Sequence, residues 1–213
     1  MKLKRCAYCG ASTAKLEKER VFPKCLYPPS KSGSAIQRMT VPACARCNRG
    51  FSDDEAHFRN MLVVSGDPSP PVRELWETKV LPSLEQPDGV KRALDVLTQM
   101  RPVQTDEGDR HAVFPGEDDR VMRVLRKVIR GLCHYHRIMS PVSDRMVWTD
   151  VLKYRVPQEL RDSMLYDHRE KDIVDYRYQV VDDPTIHSVW LITFFERCTF
   201  MGWVSTSEDL FPD

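Results

Sequence analysis

Four cysteines in two matched pairs constrain this chain more than any other feature. Cys6 and Cys9 form one Cys-x-x-Cys, and Cys44 and Cys47 form a second after thirty-four intervening residues. Each pair can turn as a tight knuckle that aims two thiolates at one point, and four thiolates satisfy tetrahedral Zn²⁺ with no position left for water. Such a closed site folds a segment and activates no substrate. Gly10, and Asn48-Arg49-Gly50 after the second pair, suit the left-handed turns that end knuckles. The competing readings are a redox Cys-x-x-Cys and four ordinary buried thiols. Seven cysteines in all, an odd number, argue against a disulfide framework, and Cys25, Cys133 and Cys198 are expected as small core residues.

The start MKLKRCAYCG has no apolar leader, which sets the expectation of an intracellular, cytoplasmic protein, and no stretch of eighteen apolar residues is available to span a membrane. The net charge of +1 hides a division. Residues 1–63 hold twelve Lys or Arg against five acids, a net +7, which leaves −6 for the remainder. A phosphate-binding module beside a separate scaffold would show this asymmetry, and so would a solvated basic face with no partner.

Residues 20–26, RVFPKCL, and 39–42 read as short extended runs, with a loop over 28–34 between them. Ser52-Asp53-Asp54-Glu55 is a capping-box pattern that opens a helix over about 53–63. The order is knuckle, strand, loop, strand, knuckle, helix.

With those residues in place, CAYCG, ERVFPKCL and TVPACARCNRGFSDDEAHFRNML resemble the zinc-stapled branch of the HNH endonucleases, over roughly residues 5–63. The resemblance implies a ββα-metal core within a treble-clef zinc module. The later RVLRKVIRGLCHYHR and SVWLITFFERCTFMGW resemble uncharacterised bacterial proteins carrying the same N-terminal module. In such nucleases an Asp-His pair on the first strand binds one divalent cation and deprotonates water. A middle Asn orients the His, and a last Asn or His completes the cation site. The chemistry needs an activated water and a cation that neutralises the pentacoordinate phosphate.

Carried across residue by residue, Glu19 and Arg20 stand at the Asp-His pair, Gln37 falls near the middle Asn, and Asn48 matches the last position. Glu19 can still offer an oxygen to Mg²⁺ or Mn²⁺. Arg20 cannot be a base, because its guanidinium stays protonated and has no acceptor lone pair. Three outcomes are open: a module that binds nucleic acid without cutting it, a nuclease whose base is His57, and weak hydrolysis driven by the cation alone. In the first, Lys24, Arg46, Arg49 and Arg59, with Arg20, contact phosphates. Arg20 could instead fill the old cation position by pairing with Glu19 or another local acid.

Residues 64–75 are turn-rich, which divides the chain into a zinc module (1–65), a linker (66–75) and a second region (76–213). That region is expected to be α+β: a helix over 88–100, a polar loop over 102–118 and a helix over 119–136. Val121, Val124, Leu125, Val128, Ile129 and Leu132 give the second helix its apolar stripe. Its other face carries Arg120, Arg123, Arg126, Lys127 and Arg130, read as a solvated face in preference to a nucleic-acid surface. His134 and His136 are expected as helix-end cations, and Asp167-His168 as a surface turn. Residues 176–181, 188–195 and 199–205 read as an antiparallel meander with a turn at 182–184 and with Trp148, Trp190 and Trp203 in the core. The functional expectation is an HNH-like zinc protein that binds or acts on nucleic acid, DNA foremost, in a phage, mobile-element or defence setting that the resemblance suggests. The alternative is a non-catalytic scaffold in which zinc only folds the N-terminus and the C-terminal region meets a protein partner.

Overall fold

A computed structural model describes residues 4–31, 39–65, 69–105, 108–113, 116 and 118–208. Gln37 lies outside them. The chain begins with a small hairpin of β1 (Lys4–Arg5) and β2 (Ser12–Thr13), bent around the first cysteine pair. β3 (Glu17–Arg20) pairs antiparallel with β4 (Thr40–Ala43), with Glu19 opposite Val41 and Arg20 opposite Thr40. The extended run is therefore 17–20, earlier than 20–26. Pro23 ends it, lacking an amide for the ladder, and Lys24–Leu26 turn as a 3-10 helix.

After the second cysteine pair come α1 (Ala45–Arg49) and α2 (Ser52–Val64). The capping box does not form. Phe51 is the N-cap, the Ser52 hydroxyl bonds back to the Arg49 carbonyl, and the acids of the first turn go elsewhere. Residues 70–75, within the expected linker, are α3 (Pro70–Leu75), which continues through a π turn at Trp76–Val80 into α4 (Leu81–Leu84). Pro71, Val72 and Leu75 are buried there. α5 (Gly89–Leu97) follows.

The stretch expected as a loop, 102–118, is mostly a hairpin of β5 (Met100–Thr105) and β6 (Gly108–Val113). The polar composition that argued for a loop is equally that of a two-stranded ribbon. α6 (Asp119–Tyr135) buries the expected apolar stripe. The chain ends in β7 (Val147–Val151), α7 (Gln158–Ser163), β8 (Leu165–Glu170), β9 (Val174–Val180), β10 (Ile186–Phe194) and β11 (Cys198–Ser205). The five strands form one antiparallel sheet in the order β7-β11-β10-β9-β8. Asp167-His168 belongs to β8 and is no surface turn.

Alternation sets the inner face of this sheet. Ser188, Trp190, Ile192 and Phe194 of β10 are buried, as are Phe200, Gly202 and Val204 of β11. α6 packs on that side, and so does the N-terminal part: the Phe58 ring of α2 meets Phe194 edge-on at 5.2 Å, and Phe22 lies 5.8 Å from Tyr176. One apolar cluster thus runs from Cys6 to Val204. Trp190 is core, whereas Trp148 and Trp203 are half-buried and stack on one another at 3.8 Å.

Candidate functional site

The first cysteine knuckle closes through Gly10 N–H to the Cys6 carbonyl, with Gly10 at φ +69°, a conformation glycine takes without strain. The second runs straight into α1. Gly50 closes it at φ −74°, so the left-handed turn expected there is absent. Cys44 is the N-cap of α1, and its amide donates to the Cys6 sulfur at 3.4 Å. All four sulfurs lie within 4.8 Å of one another. A tetrahedron with Zn–S of about 2.3 Å has S···S edges of about 3.8 Å, and the Cys9–Cys44 sulfurs are 3.9 Å apart. As free thiols the four compete. Burial opposes ionisation of Cys6, but amide N–H groups from Cys9 and Cys44 hold its pKa down to about 7, whereas burial pushes Cys9 and Cys47 up. A divalent metal ion such as zinc is what lets all four be thiolates together. The cluster can hold such an ion, and the set leaves no open position.

The second concentration of chemistry lies behind the four-cysteine module. Glu19 is buried on β3, and its carboxylate accepts from the Lys127 ammonium of α6. The same ammonium donates to Glu55 of α2 at 2.6 Å and lies 4.8 Å from the centre of the Phe51 ring. The Lys127 side chain is 1 % exposed. Burial is the larger influence on Glu19 and raises its pKa, with the Lys127 hydrogen bond and charge pulling the other way. Arg20 does not pair with Glu19: successive strand residues face opposite sides, and Arg20 has no ion pair among the described residues.

Asn48 is two residues out of place for Glu19. Its side-chain amide donates to Glu17, which also takes Arg49 at 3.0 Å, and the Asn48 bond is the main reason the Glu17 pKa falls. Of the expected phosphate contacts, Lys24, Arg46 and Arg49 are exposed. Arg59 is not: it is 8 % exposed and its guanidinium bonds the Asn60 side chain at 2.8 and 3.1 Å.

His57 sits apart from Glu19. It is buried, and its Nε2 lies 2.5 Å from the Asp118 carboxylate. The same Asp118 oxygen accepts from Gln99 at 2.6 Å, while its partner oxygen caps α6 through the amides of Arg120 and Val121. His57 lines one end of a cleft of about 350 Å³ between α2, α5 and α6. The structure thus brings Glu19 together with Glu55 and Lys127, and leaves Arg20, Asn48 and His57 in three other settings.

The basic face of α6, expected in solvent, is spoken for within the chain. Arg120 pairs with Asp95, Arg123 with Asp54, Arg126 and Arg130 with Asp144, and Arg130 also donates to the carbonyls of Tyr8 and Val142. His134 bonds Ser140 and has a pKa lowered by burial, the reverse of a helix-end cation, and His136 bonds Tyr176. Sequence reasoning missed Glu55, hidden inside an apparent capping box, and Lys127. A signal for Lys127 was present: it lies three residues after Val124 and four before Gly131, on a row that otherwise faces inward. These arrangements stand on their own chemistry, because no protein-family model, curated protein or solved structure matches the chain.

Proposed function

We propose that this chain binds nucleic acid, DNA foremost, through the exposed cations of an HNH-endonuclease-like, treble-clef zinc module that has lost hydrolysis. One observation carries the reading. The cations of α6 are all engaged within the chain, whereas Lys4, Arg5, Lys15, Lys18, Lys24 and Arg46 are exposed and have no ion pair among the described residues. Unpaired surface cations are the groups that contact phosphates and release counterions. Loss of hydrolysis is supported by Arg20 at the position of the base, which cannot accept a proton, and by Lys127 on Glu19, where a divalent cation is wanted. Zinc in this reading is structural, and Mg²⁺ or Mn²⁺ has no part in the natural chain.

The test is binding to a labelled duplex as salt is raised. Six phosphate contacts give a slope of log K against log salt of about −5. Lys18→Glu with Lys24→Glu and Arg46→Glu should weaken binding and flatten that slope. Affinity that ignores salt, or that survives the triple reversal, overturns the proposal.

A second reading, contact with a protein, has one observation behind it. Val90, Leu94 and Leu97 form a stripe along α5 and are 72 %, 52 % and 56 % exposed. Such a stripe is the form of a protein-docking face, and Leu94→Ser should abolish any partner's binding while leaving DNA binding intact.

A further inference from the structure

The outer face of the sheet, turned away from α6 and the N-terminal part, holds a cavity of about 150 Å³. Buried residues alternate along β9 and β10, so Asp175, Arg177 and Thr193 lie on the side opposite Tyr176 and Ile192. Asp175, Thr193 and Thr199 stand abreast on three neighbouring strands. Arg155 and Arg161 reach the same cavity from the segment between β7 and β8. Three guanidiniums against one carboxylate leave a net charge of +2 in its lining, and none of the three is in an ion pair among the described residues. Like charges gathered at one place repel one another, and Asp175 offsets only one of them. Burial is the larger influence on the Asp175 carboxyl and raises its pKa, while the charges of Lys171, Arg177 and Arg161 pull it down.

Arg177 is held in place without being spent. One of its N–H groups donates to the Arg161 carbonyl at 3.0 Å, and its guanidinium lies 4.3 Å from the centre of the Tyr166 ring. Most of its donors stay open among the described contacts. The Thr193 and Thr199 hydroxyls are 3.0 Å apart and share one hydrogen bond, so one hydroxyl proton remains to donate. Guanidiniums take phosphate oxygens two at a time. A phosphate monoester brings a charge of about −1.5 to −2 and three acceptor oxygens, which matches the excess in the lining, whereas a phosphodiester brings a single charge and a chain on both sides. The volume is below the roughly 300–1,000 Å³ of pockets that enclose drug-sized ligands, so a small molecule, or one end of a larger one, is what enters. We propose that this cavity binds a phosphate monoester, with Arg177 as its fixed anchor, Arg155 and Arg161 flanking it and a threonine hydroxyl donating to it. The site goes beyond the nucleic-acid reading and shares no residue with it, so the two fail separately.

The test is calorimetric titration of the full, zinc-loaded chain with phenyl phosphate, at a pH above the second phosphate ionisation of about 6. One saturable site per chain is expected. Arg177→Gln, on the outer face of β9, and Arg155→Gln, on an exposed segment, should each weaken it by about ten- to a hundredfold, the scale of a hydrogen bond to a charged group. If Arg177→Gln does not fold, Arg155→Gln decides. Competition then separates two sources of the ester, in a chain that also carries Lys18→Glu, Lys24→Glu and Arg46→Glu. A DNA strand with a terminal phosphate that displaces phenyl phosphate, where the same strand without it does not, makes the ligand a strand end; displacement by neither strand makes it a free small ester. The proposal is overturned by the absence of a saturable site, by displacement with dimethyl phosphate or with the unphosphorylated strand, or by binding that a folded Arg155→Gln or Arg177→Gln leaves unchanged.

Discussion

The Asp118 carboxylate ties together three helices. One oxygen caps α6, and the other takes His57 from α2 and Gln99 from just beyond α5. Burial alone would raise its pKa, but the bonds from His57 and Gln99 outweigh burial and hold it well below 3.8. A carboxyl depressed in the folded state contributes stability above its unfolded pKa and loses it as pH falls through the folded value. The chain should therefore lose stability below about pH 4. Asp118→Asn should cost about 1–3 kcal/mol at neutral pH, since it cannot accept all four donors, and should flatten the acid limb. Urea midpoints between pH 7 and pH 3 decide this, and parallel limbs in the two chains refute it. Glu19 does not add to the limb, because burial raises its pKa and its sign is opposite. Gly131 is the other residue whose side chain matters, here by being absent. An added Cβ would sit 3.2 Å from both Val21 methyls and 3.0 Å from the Tyr8 hydroxyl. Gly131→Val should cost about 1–3 kcal/mol by forcing α6 off the module, read as a lower urea midpoint with unchanged zinc content.

Among the elements, α6 shows both what the sequence made legible and where it misled. Its apolar stripe was plain from spacing, and the helix ends at Tyr135, one residue from the expected end. Its charges were not, because a cation facing solvent and one facing an acid on another element look identical along a chain. Asp54 and Glu55 were read locally, as a cap for α2, when Arg123 and Lys127 claim them from α6. The cysteine pairs were legible because metal coordination forces fixed spacing, while Glu19–Lys127 rests on a separation that leaves no periodic trace. The strands of the meander were found from β-branched and aromatic runs, whereas β8 carries Asp, His and Arg and gave no such signal, and the short Val-Trp-Thr-Asp-Val of β7 carried the signal and was passed over. A prediction follows at this scale. Arg123→Glu faces Asp54 and should destabilise the fold by about 0.5–1 kcal/mol without flattening the salt dependence of DNA binding. Lys24→Glu should do the opposite, lowering the salt slope by about 1 with stability unchanged. Equal effects of the two on binding would remove the distinction between paired and unpaired cations on which the nucleic-acid reading rests.

At the scale of the whole molecule, the question is whether removing a metal ion from the four cysteines unfolds a part or everything. The four-cysteine module is not insulated from the sheet. Phe58 meets Phe194 and Phe200, Phe22 meets Tyr176, Arg130 holds the Tyr8 carbonyl beside the first knuckle, and Lys127 holds Glu19 and Glu55. If the knuckles open, β3 and α2 lose their seat, and the inner face of the sheet loses Phe22 and Phe58 together. Structural zinc contributes folding free energy of the order of 10 kcal/mol in small modules, comparable with the whole stability of an ordinary domain. Chelation should therefore collapse the chain in one cooperative step. Calorimetry should show a single transition with zinc and a weakened or absent one without it. The near-ultraviolet circular dichroism from Trp190, buried in β10, should vanish along with the metal. An autonomous module would instead give two transitions, the upper one indifferent to chelator and the Trp190 signal intact. The Lys127 pairs make the single step the expected result, because an opened module would break both ion pairs at once and expose the apolar side of α6 to water.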